Sequence, residues 1–533
     1  MIIMVIQDSS LDKGLPKKTL SLCPECKKKI KAKIVREDGK AVMKKDCPEH
    51  GHFESVIWSD VDMYLKAEKW AFDGTGIDNP KITDATSCPE NCGLCNLHKS
   101  HTSLANVDLT NRCNMNCPIC FANANAAGYV YEPSFDKIVD MLQNLRDEKP
   151  VPTPAVQLAG GEPTVYPRFF DVVETASNMG FAQVQVATNG VKLAQSEDYA
   201  QKCVDAGLHT VYLQFDGLDE DIYRQARGRE MMEIKNKVIE NCRKTKPKPL
   251  ATVLVPTMLK GVNDDQVGDI MDYAIENRDV IRGVNFQPVA FTGRIEKEKR
   301  KKQRYTLSDM AIDLEKETDY LSRDDFYPVP FVTPISQLIS IVKGEPQVAF
   351  TSHPHCGLAS YLVIGDDGDI KPITKFADVE GLIGAMHEKA GEWNNTLHKA
   401  LFKVGGKVGK LKSDKGKKKT LVKKFQKLFG NYIKDEELPG GMTLGEMMTS
   451  IISQGDKAAV GDFSWRTMFV GGMHFQDLYN YDIERVKRCV IHYATPDDRI
   501  IPFCAYNGGP TYREEVEKEF SVPLDEWRKR NEA

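Results

Sequence analysis

The stretch that decides the fold reads Leu109-Thr110-Asn111-Arg112-Cys113-Asn114-Met115-Asn116-Cys117-Pro118-Ile119-Cys120-Phe121. Three residues separate its first two cysteines, and two residues separate the second from the third. Thiolates at this spacing can bind three irons of a [4Fe–4S] cluster and leave the fourth iron open to a substrate or cofactor. A zinc knuckle is the alternative, but the segment has no fourth local protein ligand.

Strand and helix patterns alternate along the chain from just before this stretch to residue 288. The strands are expected at Leu104–Leu109, Ala155–Leu158, Gln183–Ala187, Thr210–Phe215, Leu250–Val255 and Gly283–Pro288. The helices are expected at Ser134–Glu148, Pro167–Met179, Asp198–Ala206, Tyr223–Lys244 and Gln266–Arg278. Such alternation predicts an α/β fold with a parallel sheet and right-handed crossovers. Six units make a partial (β/α)6 TIM-like barrel, with ligands at the C-terminal strand ends.

Polar and glycine residues follow several of these strands. Gly160-Gly161-Glu162 ends the second strand, about 40 residues after the cysteine motif. Glycines at such a position let the backbone approach a ligand closely. Later strand ends carry Thr188, Asn189, Gln214 and Asp216, although polar residues there also serve as helix caps.

The cysteine motif, the following Phe121 and the glycine run together resemble the radical S-adenosylmethionine (SAM) superfamily. The resemblance implies that Cys113, Cys117 and Cys120 hold the catalytic [4Fe–4S] cluster. It implies that residues 160–162 bind the amino group of SAM, while the later strand-end residues contact its ribose and carboxylate. A reduced cluster would then cleave SAM to methionine and a 5′-deoxyadenosyl radical.

An N-terminal cysteine group predicts a second metal site. Cys23 and Cys26 lie on one tight turn, and a second turn supplies Cys47 followed by His50 and His52. Four such ligands form a tetrahedral site for zinc or a rubredoxin-like iron. The spacing leaves open which histidine is the fourth ligand and which metal binds.

Eight further cysteines lie outside these two groups. Cys88, Cys92 and Cys95 repeat the CxxxCxxC spacing, but no strand and glycine run belong to them, so we expect an auxiliary cluster rather than a second SAM site. Cys356, Cys489 and Cys504 are scattered downstream, and each alone would be taken for a buried thiol. The last two are Cys203 and Cys242, which lie in helical patterns and are expected to be buried.

The tandem motifs behind a cysteine knuckle resemble the archaeal tetraether lipid synthases, a group earlier described as class D radical SAM methyltransferases acting on a pterin. This resemblance implies three [4Fe–4S] clusters, with Cys356, Cys489 and Cys504 among the ligands, and one mononuclear iron or zinc. It implies coupling of the terminal carbons of two isoprenoid chains of an archaeal diether phospholipid, with an electron donor such as a ferredoxin. Pterin methylation is the alternative reaction, and a multi-zinc nucleic-acid-binding protein is the alternative class.

Length and composition set the remaining expectations. The chain has 533 residues and a formal charge of −4, so a strongly basic nucleic-acid binder is not expected. No signal peptide or transmembrane segment is evident, which predicts a cytoplasmic protein. The lysine-rich run 399–427 leaves peripheral contact with the inner face of the membrane open.

Four regions are expected along the chain. They are a knuckle domain over 1–80, an auxiliary-cluster segment over 81–102, the barrel over 103–294, and a cluster- and substrate-binding region over 295–533. The long carboxyl-terminal region is the least informative part of the sequence, because its helical patterns do not indicate a defined architecture.

Overall fold

A four-stranded antiparallel sheet, here called the ribbon, forms the N-terminal unit. The computed structural model describes residues 7–365, 368–403, 427–434, 445–446 and 457–531. The ribbon strands are β2 (Lys17–Leu22), β3 (Lys29–Glu37), β4 (Lys40–Cys47) and β5 (Gly51–Trp58), paired in that order. Helix α1 (Val61–Glu68) follows, and the short strands β1 (Gln7–Asp8) and β6 (Phe72–Asp73) pair with each other. Burial alternates along β3, as expected for a strand with one solvated face.

Six parallel strands form the body of the molecule and confirm the predicted partial barrel. They are β7 (Leu104–Thr110), β9 (Ala155–Gly160), β10 (Gln183–Thr188), β11 (Thr210–Gln214), β12 (Ala251–Val255) and β14 (Ile281–Pro288). The accompanying helices are α2 (Phe135–Arg146), α3 (Phe169–Asn178), α4 (Glu197–Asp205), α5 (Glu220–Arg227), α6 (Met232–Lys244) and α7 (Val267–Glu276). Two small strands, β8 (Tyr129–Tyr131) and β13 (Thr257–Met258), lie in the connections.

One predicted helix is divided in the structure. The pattern over Tyr223–Lys244 becomes α5 and α6, because α5 ends at Gly228, whose φ of +78° places it in the left-handed region. Glycine adopts this conformation without the steric penalty of a Cβ, so it commonly ends a helix.

The region after the barrel extends the sheet at both edges. Strand β18 (Thr467–Met473) pairs in parallel with β14, and β19 (Ile491–Ala494) pairs in parallel with β7. The remaining strands are β15 (Tyr327–Pro328), β16 (Gly357–Ile364), β17 (Ile370–Pro372), β20 (Ile500–Pro502) and β21 (Ser521–Pro523). The carboxyl-terminal region is therefore part of the same sheet as the barrel.

Helices of the carboxyl-terminal region pack around these strands. They are α8 (Arg300–Gln303), α9 (Leu307–Glu317), α10 (Thr333–Lys343), α11 (Val379–Lys403), α12 (Lys457–Arg466), α13 (Ile483–Lys487), α14 (Phe503–Asn507), α15 (Tyr512–Glu519) and α16 (Leu524–Asn531). Among the helices that the structure describes, none is both long and apolar enough to cross a bilayer. Most of the lysine-rich run 399–427 lies outside the described residues.

The barrel helices cover one face of the sheet with apolar side chains. Helix α2 shows why this segment is helical: Ser134 caps its first turn, and buried Ile138, Met141, Leu142 and Leu145 recur at helical spacing. They join a core with the alternate strand residues Val107, Val156 and Val184. The opposite strand residues are consequently directed to the concave inner face of the barrel.

Candidate active site and metal centres

The loop that carries Cys113, Cys117 and Cys120, here called the cysteine loop, begins where β7 ends. Cys113, Cys117 and Cys120 are all free thiols of intermediate exposure. Burial raises the pKa of Cys113 to about 12, and negative charge on the neighbouring cysteines acts in the same direction. Bound iron reverses this preference, because a coordinated thiol is deprotonated. Three thiols on one loop without a fourth nearby cysteine suit a cluster with one open iron.

Asn125 holds the backbone of this loop. Its side-chain oxygen accepts a hydrogen bond from the Cys113 amide at 2.9 Å, and its amide nitrogen donates to the carbonyls of Cys113 and Met115. Asn125 has a φ of +64°, a region that asparagine tolerates better than most residues. A side-chain amide thereby fixes the segment that carries the first cysteine.

A segment after β14 crosses the other end of the loop. The amide of Arg294 donates to the Cys120 carbonyl at 3.1 Å, and its guanidinium donates to Asn116 and to the Ala124 carbonyl. Gly293 makes this approach possible, since a Cβ there would lie 2.4 Å from the Phe121 carbonyl oxygen. The sequence offers no motif that would have identified this contact.

A buried ion pair links the fourth strand end to the cysteine loop. Arg227 of α5 donates two hydrogen bonds to the Asp216 carboxylate, at 2.7 and 2.6 Å. A third N–H donates to the carbonyl of Ile119, between the second and third cysteines, at 2.9 Å. Burial acts against ionisation of Asp216, but the guanidinium holds the pKa of this carboxyl below its ordinary value.

The glycine run joins the second strand to the same loop. Gly160 has a φ of +125°, and a Cβ on Gly161 would lie 2.4 Å from the Arg112 carbonyl oxygen. The Gly161 amide donates to the Thr110 carbonyl at 2.8 Å, and the Glu162 amide donates to the Arg112 carbonyl at 2.9 Å. Glycine is therefore required by the close approach of two backbones.

Glu162 connects the second and third strand ends. Its buried carboxylate accepts from the hydroxyls of Thr164 and Thr188, and from the Asn189 amide at 2.8 Å. Burial raises the pKa of Glu162, while these donors lower it. The side chain of Asn189 donates to Asn114 at 2.7 Å, next to the first cysteine.

The predicted SAM residues thus lie together around the cysteine loop, with protein contacts that sequence alone does not give. Gln214 donates to Asp216 at 2.8 Å. Lys235 of α6, which the sequence analysis missed, is fully buried and donates to the Asn189 carbonyl at 2.7 Å. Burial lowers the pKa of this lysine to about 7. The amphipathic pattern of α6 does not distinguish Lys235 from a surface lysine.

The N-terminal cysteine group forms a compact set of metal ligands. The ligand atoms of Cys23, Cys26, Cys47 and His50 all lie within 4.8 Å of one another. The Cys26 and Cys47 sulfurs are 3.9 Å apart, and Nδ1 of His50 is 3.5 Å from the Cys47 sulfur. A tetrahedral zinc with Zn–S bonds of about 2.3 Å separates its sulfurs by roughly 3.8 Å, so the set fits such an ion. His52 instead contacts Asp46 at 2.8 Å.

Cys88, Cys92, Cys489 and Cys504 belong to one buried cluster. For description we call Cys88, Cys92 and Cys95 the first trio, and Cys356, Cys489 and Cys504 the second trio. Burial raises the pKa of Cys92, and negative charge on Cys88, Cys95 and Cys489 adds to this effect. Burial likewise raises the pKa of Cys489, and negative charge on Cys504 and Cys356 acts in the same direction.

A buried guanidinium lies beside the second trio. Nε of Arg485 is 3.5 Å from the Cys356 sulfur, and the Gln476 amide donates to the Cys504 sulfur at 3.3 Å. Burial raises the pKa of Cys504 to about 11, while the charge of Arg485 and the Gln476 amide act in the opposite direction. The second trio therefore has surroundings that suit metal binding.

The first half of the inner barrel face is lined with amide side chains. Gln157 donates to Asn106 at 2.7 Å, Gln185 donates to Gln157 at 2.6 Å, and Gln183 donates to Gln185 at 2.9 Å. We call these four residues the amide row. Further along the same face, Gln287 donates to the hydroxyl of Tyr212 at 3.3 Å. These amide side chains make this part of the barrel interior polar.

Comparison with known proteins agrees with this geometry. The sequence profile of the radical SAM superfamily matches residues 107–274. A protein of Methanocaldococcus jannaschii, named 7,8-dihydro-6-hydroxymethylpterin dimethyltransferase, is 47% identical over 521 residues, covering 97% of each chain. The chain belongs to the radical SAM superfamily. Within the superfamily it shares a family with that dimethyltransferase, since the likeness extends over nearly the whole chain.

Other proteins match only part of the chain. A probable GTP 3′,8-cyclase of Methanothermobacter thermautotrophicus is 27% identical over 33% of this chain and 55% of its own. The crystal structure of Streptococcus suis SuiB bound to S-adenosylmethionine covers 42% of this chain and 48% of its own, with 18% identity and a TM-score of 0.31. A profile named the HMPTM N-terminal zinc ribbon domain matches residues 15–59.

These comparisons establish the cofactors and correct the expected reaction. A radical SAM protein uses a [4Fe–4S] cluster and SAM, and the ribbon provides an additional metal site. The expectation that this chain couples isoprenoid chains is wrong, and so is the expected diether phospholipid partner. The relative that matches 97% of the chain is named for a pterin substrate.

Proposed function

We propose that this radical SAM enzyme methylates a pterin related to 7,8-dihydro-6-hydroxymethylpterin. The observation that carries the proposal is the 47% identity to the M. jannaschii dimethyltransferase over 97% of the chain. Because the match covers 97% of each chain, the two chains share more than the barrel.

The inner face of the barrel supports a polar, planar substrate. A pterin presents amino, carbonyl and ring-nitrogen groups along one edge, which amide side chains can recognise as both donors and acceptors. The amide row offers such groups, with Gln157 partly exposed and Gln185 close to fully buried. Tyr212 lies one strand further along and adds an aromatic surface against which a ring can stack.

We assign the catalytic cluster to Cys113, Cys117 and Cys120. When bound, the reduced cluster supplies the electron that breaks a carbon–sulfur bond of SAM. Residues 160–162, with Thr188 and Asn189, form the wall next to the loop, and we assign this wall to SAM binding. Gln214 completes this wall, while Asp216 acts through Arg227 by positioning the loop.

We further assign the auxiliary cysteines to two sites of three thiolates each. One consists of Cys88, Cys92 and Cys95, and the other of Cys356, Cys489 and Cys504. The contacts of Arg485 with Cys356 and of the Gln476 amide with Cys504 support the second site. With the catalytic trio and Cys23, Cys26, Cys47 and His50, the division uses twelve cysteines and gives three clusters and one mononuclear centre.

The four regions expected from the sequence also remain part of this proposal. The profile matches over 15–59 and 107–274 support separate ribbon and barrel regions. Strands β18 and β19 nevertheless make the region 295–533 continuous with the barrel sheet, so we propose that these two regions fold as one unit.

Anaerobic turnover tests this function. The enzyme is incubated with SAM, dithionite and 7,8-dihydro-6-hydroxymethylpterin, and the products are analysed by mass spectrometry. We expect 5′-deoxyadenosine together with a pterin heavier by one or two methyl groups. The Cys113→Ala variant should form neither product. Cleavage of SAM at wild-type rate while the pterin is recovered unmethylated would refute the proposed substrate.

A further inference from the structure

The ribbon is strongly basic, although the whole chain is acidic. Residues 15–59 contain eleven Lys and Arg and six Asp and Glu, a net charge of +5 within a chain of net charge −4. The rest of the chain therefore carries −9, so the ribbon is a positive region on a negative molecule. Such a charge separation orients an acidic partner during association.

Four exposed side chains on β2 and β3 form one face, which we call the basic face: Lys18, Leu20, Lys31 and Lys33. The strand register places Lys18 opposite Lys33 and Leu20 opposite Lys31. Like charges directly across a strand pair are unfavourable. Within the described residues, these three lysines form no ion pair. Leu20 is 41% exposed, one of few large apolar side chains on the surface.

The opposite face of β2 packs against the body of the enzyme. The hydroxyl of Thr19 donates to Asp482 at 2.7 Å, and buried Lys45 donates to the Leu478 carbonyl at 2.5 Å. Asp482 caps α13, which ends one residue before Arg488 and two before Cys489. The basic face consequently points outward, while the back of the same strand contacts the segment that carries an auxiliary cysteine.

The basic face is also close to the ribbon metal site. Strand β2 ends at Leu22, and the metal ligand Cys23 follows directly. Three residues of extended chain separate Leu20 from Cys23, a distance of about 10 Å at 3.3 Å per residue. A protein bound on this face would lie near the ribbon metal site and near the segment that carries Cys489.

We propose that the basic face docks an acidic electron-carrier protein of the ferredoxin class. One electron leaves the reduced carrier and supplies the one-electron reduction that SAM cleavage requires. Three lysines around one leucine offer charge for orientation and a small apolar centre for contact. The described residues of the ribbon include no exposed Phe, Tyr or Trp, which disfavours single-stranded RNA as the occupant. The inference rests on radical SAM chemistry and is independent of the pterin substrate.

Binding of a bacterial-type 2[4Fe–4S] ferredoxin to the metal-loaded full-length enzyme tests the docking surface. The ribbon variant carries Lys18→Glu, Lys31→Glu and Lys33→Glu, and a milder variant replaces the same lysines by Gln. The control variant carries Lys202→Glu, Lys237→Glu and Lys260→Glu, three exposed lysines on the barrel. Both Glu variants change the net charge equally, so long-range charge effects are matched.

We expect the Kd for ferredoxin to rise about tenfold or more in the ribbon Glu variant and less in the Gln variant, with the control close to wild type. SAM cleavage driven by ferredoxin should fall in the same order, while cleavage driven by dithionite stays unchanged. Binding should also weaken between low and physiological salt.

Three outcomes would overturn the proposal. They are wild-type ferredoxin affinity in the ribbon Glu variant, an equal loss in the control variant, and ribbon-dependent binding of an RNA oligonucleotide or an anionic vesicle without binding of ferredoxin. The Gln variant keeps the test valid if the Glu variant folds poorly, because it only removes exposed charge. A missing pterin product would not affect these readouts, so failure of the docking surface and failure of the proposed substrate are distinguishable.

Discussion

Removal of Arg227 should affect both stability and the catalytic cluster. Its guanidinium is buried, and its partner Asp216 is completely buried. The Arg227→Ala variant leaves an uncompensated carboxylate in the interior, which costs about 3–5 kcal/mol of unfolding free energy. It also removes the hydrogen bond to Ile119, which holds the loop between the second and third cysteines.

The matched control lies on the same helix. Arg224 contacts Asp221 and Glu230, but all three side chains are exposed. The Arg224→Ala variant should therefore keep a free energy of unfolding close to that of wild type, because exposed ion pairs contribute little. Urea titration of wild type and both variants at equal metal loading measures the difference. Iron content after desalting should fall only in Arg227→Ala.

The contribution of the Asp216–Arg227 pair to the free energy of unfolding should depend on pH. Arg227 lowers the folded-state pKa of Asp216, so the pair contributes stability above the unfolded pKa of about 3.9 and loses it as pH falls through the folded value. The stability difference between wild type and Arg227→Ala should shrink below about pH 4. Equal losses in the Arg227 and Arg224 variants, or a difference that grows on acidification, would refute this reasoning.

Three further predictions follow from other contacts. His50→Ala should release the ribbon metal while His52→Ala retains it, as measured by metal analysis, because only His50 faces the thiols; equal retention would contradict this assignment. Gly161→Ala should lower SAM cleavage at least tenfold, since its Cβ would meet the Arg112 carbonyl, whereas Gly384→Ala in α11 has open space and should be neutral. Asp73→Asn should lower the free energy of unfolding by about 1–3 kcal/mol at neutral pH, because Arg488 and Ser10 hold the pKa of Asp73 low against the effect of burial. This loss should vanish on acidification, when the wild-type carboxylate is also neutral. A loss of stability that persists at low pH would contradict the prediction.

The barrel was predictable because its signals are local. Each strand, such as Gln183–Thr188, is a short β-rich run bounded by polar or glycine residues, and each helix repeats apolar residues at helical spacing. The motif of Cys113, Cys117 and Cys120 and the glycine run were visible for a similar reason, since the chemistry proposed for them depends on spacing within a few residues.

The unpredicted features depend on contacts between distant residues. Ile491–Ala494 has four residues and no periodicity, yet it pairs with a strand nearly 400 positions earlier. Asp216 was expected to contact SAM as a strand-end carboxylate, but its orientation depends on Arg227 in the next helix. Reading residues in sequence order cannot give such orientations, because they are set by packing.

The placement of β18 and β19 at the two sides of the barrel has a consequence for synthesis on the ribosome. Strands β7 and β14 would be unpaired sheet edges in a nascent chain that ended before residue 467. Exposed edges promote pairing with other chains, and partly made proteins are prone to such errors. Almost the entire polypeptide must emerge before the edges are covered, so this enzyme is expected to complete its fold, and to receive its iron, late in translation or after release.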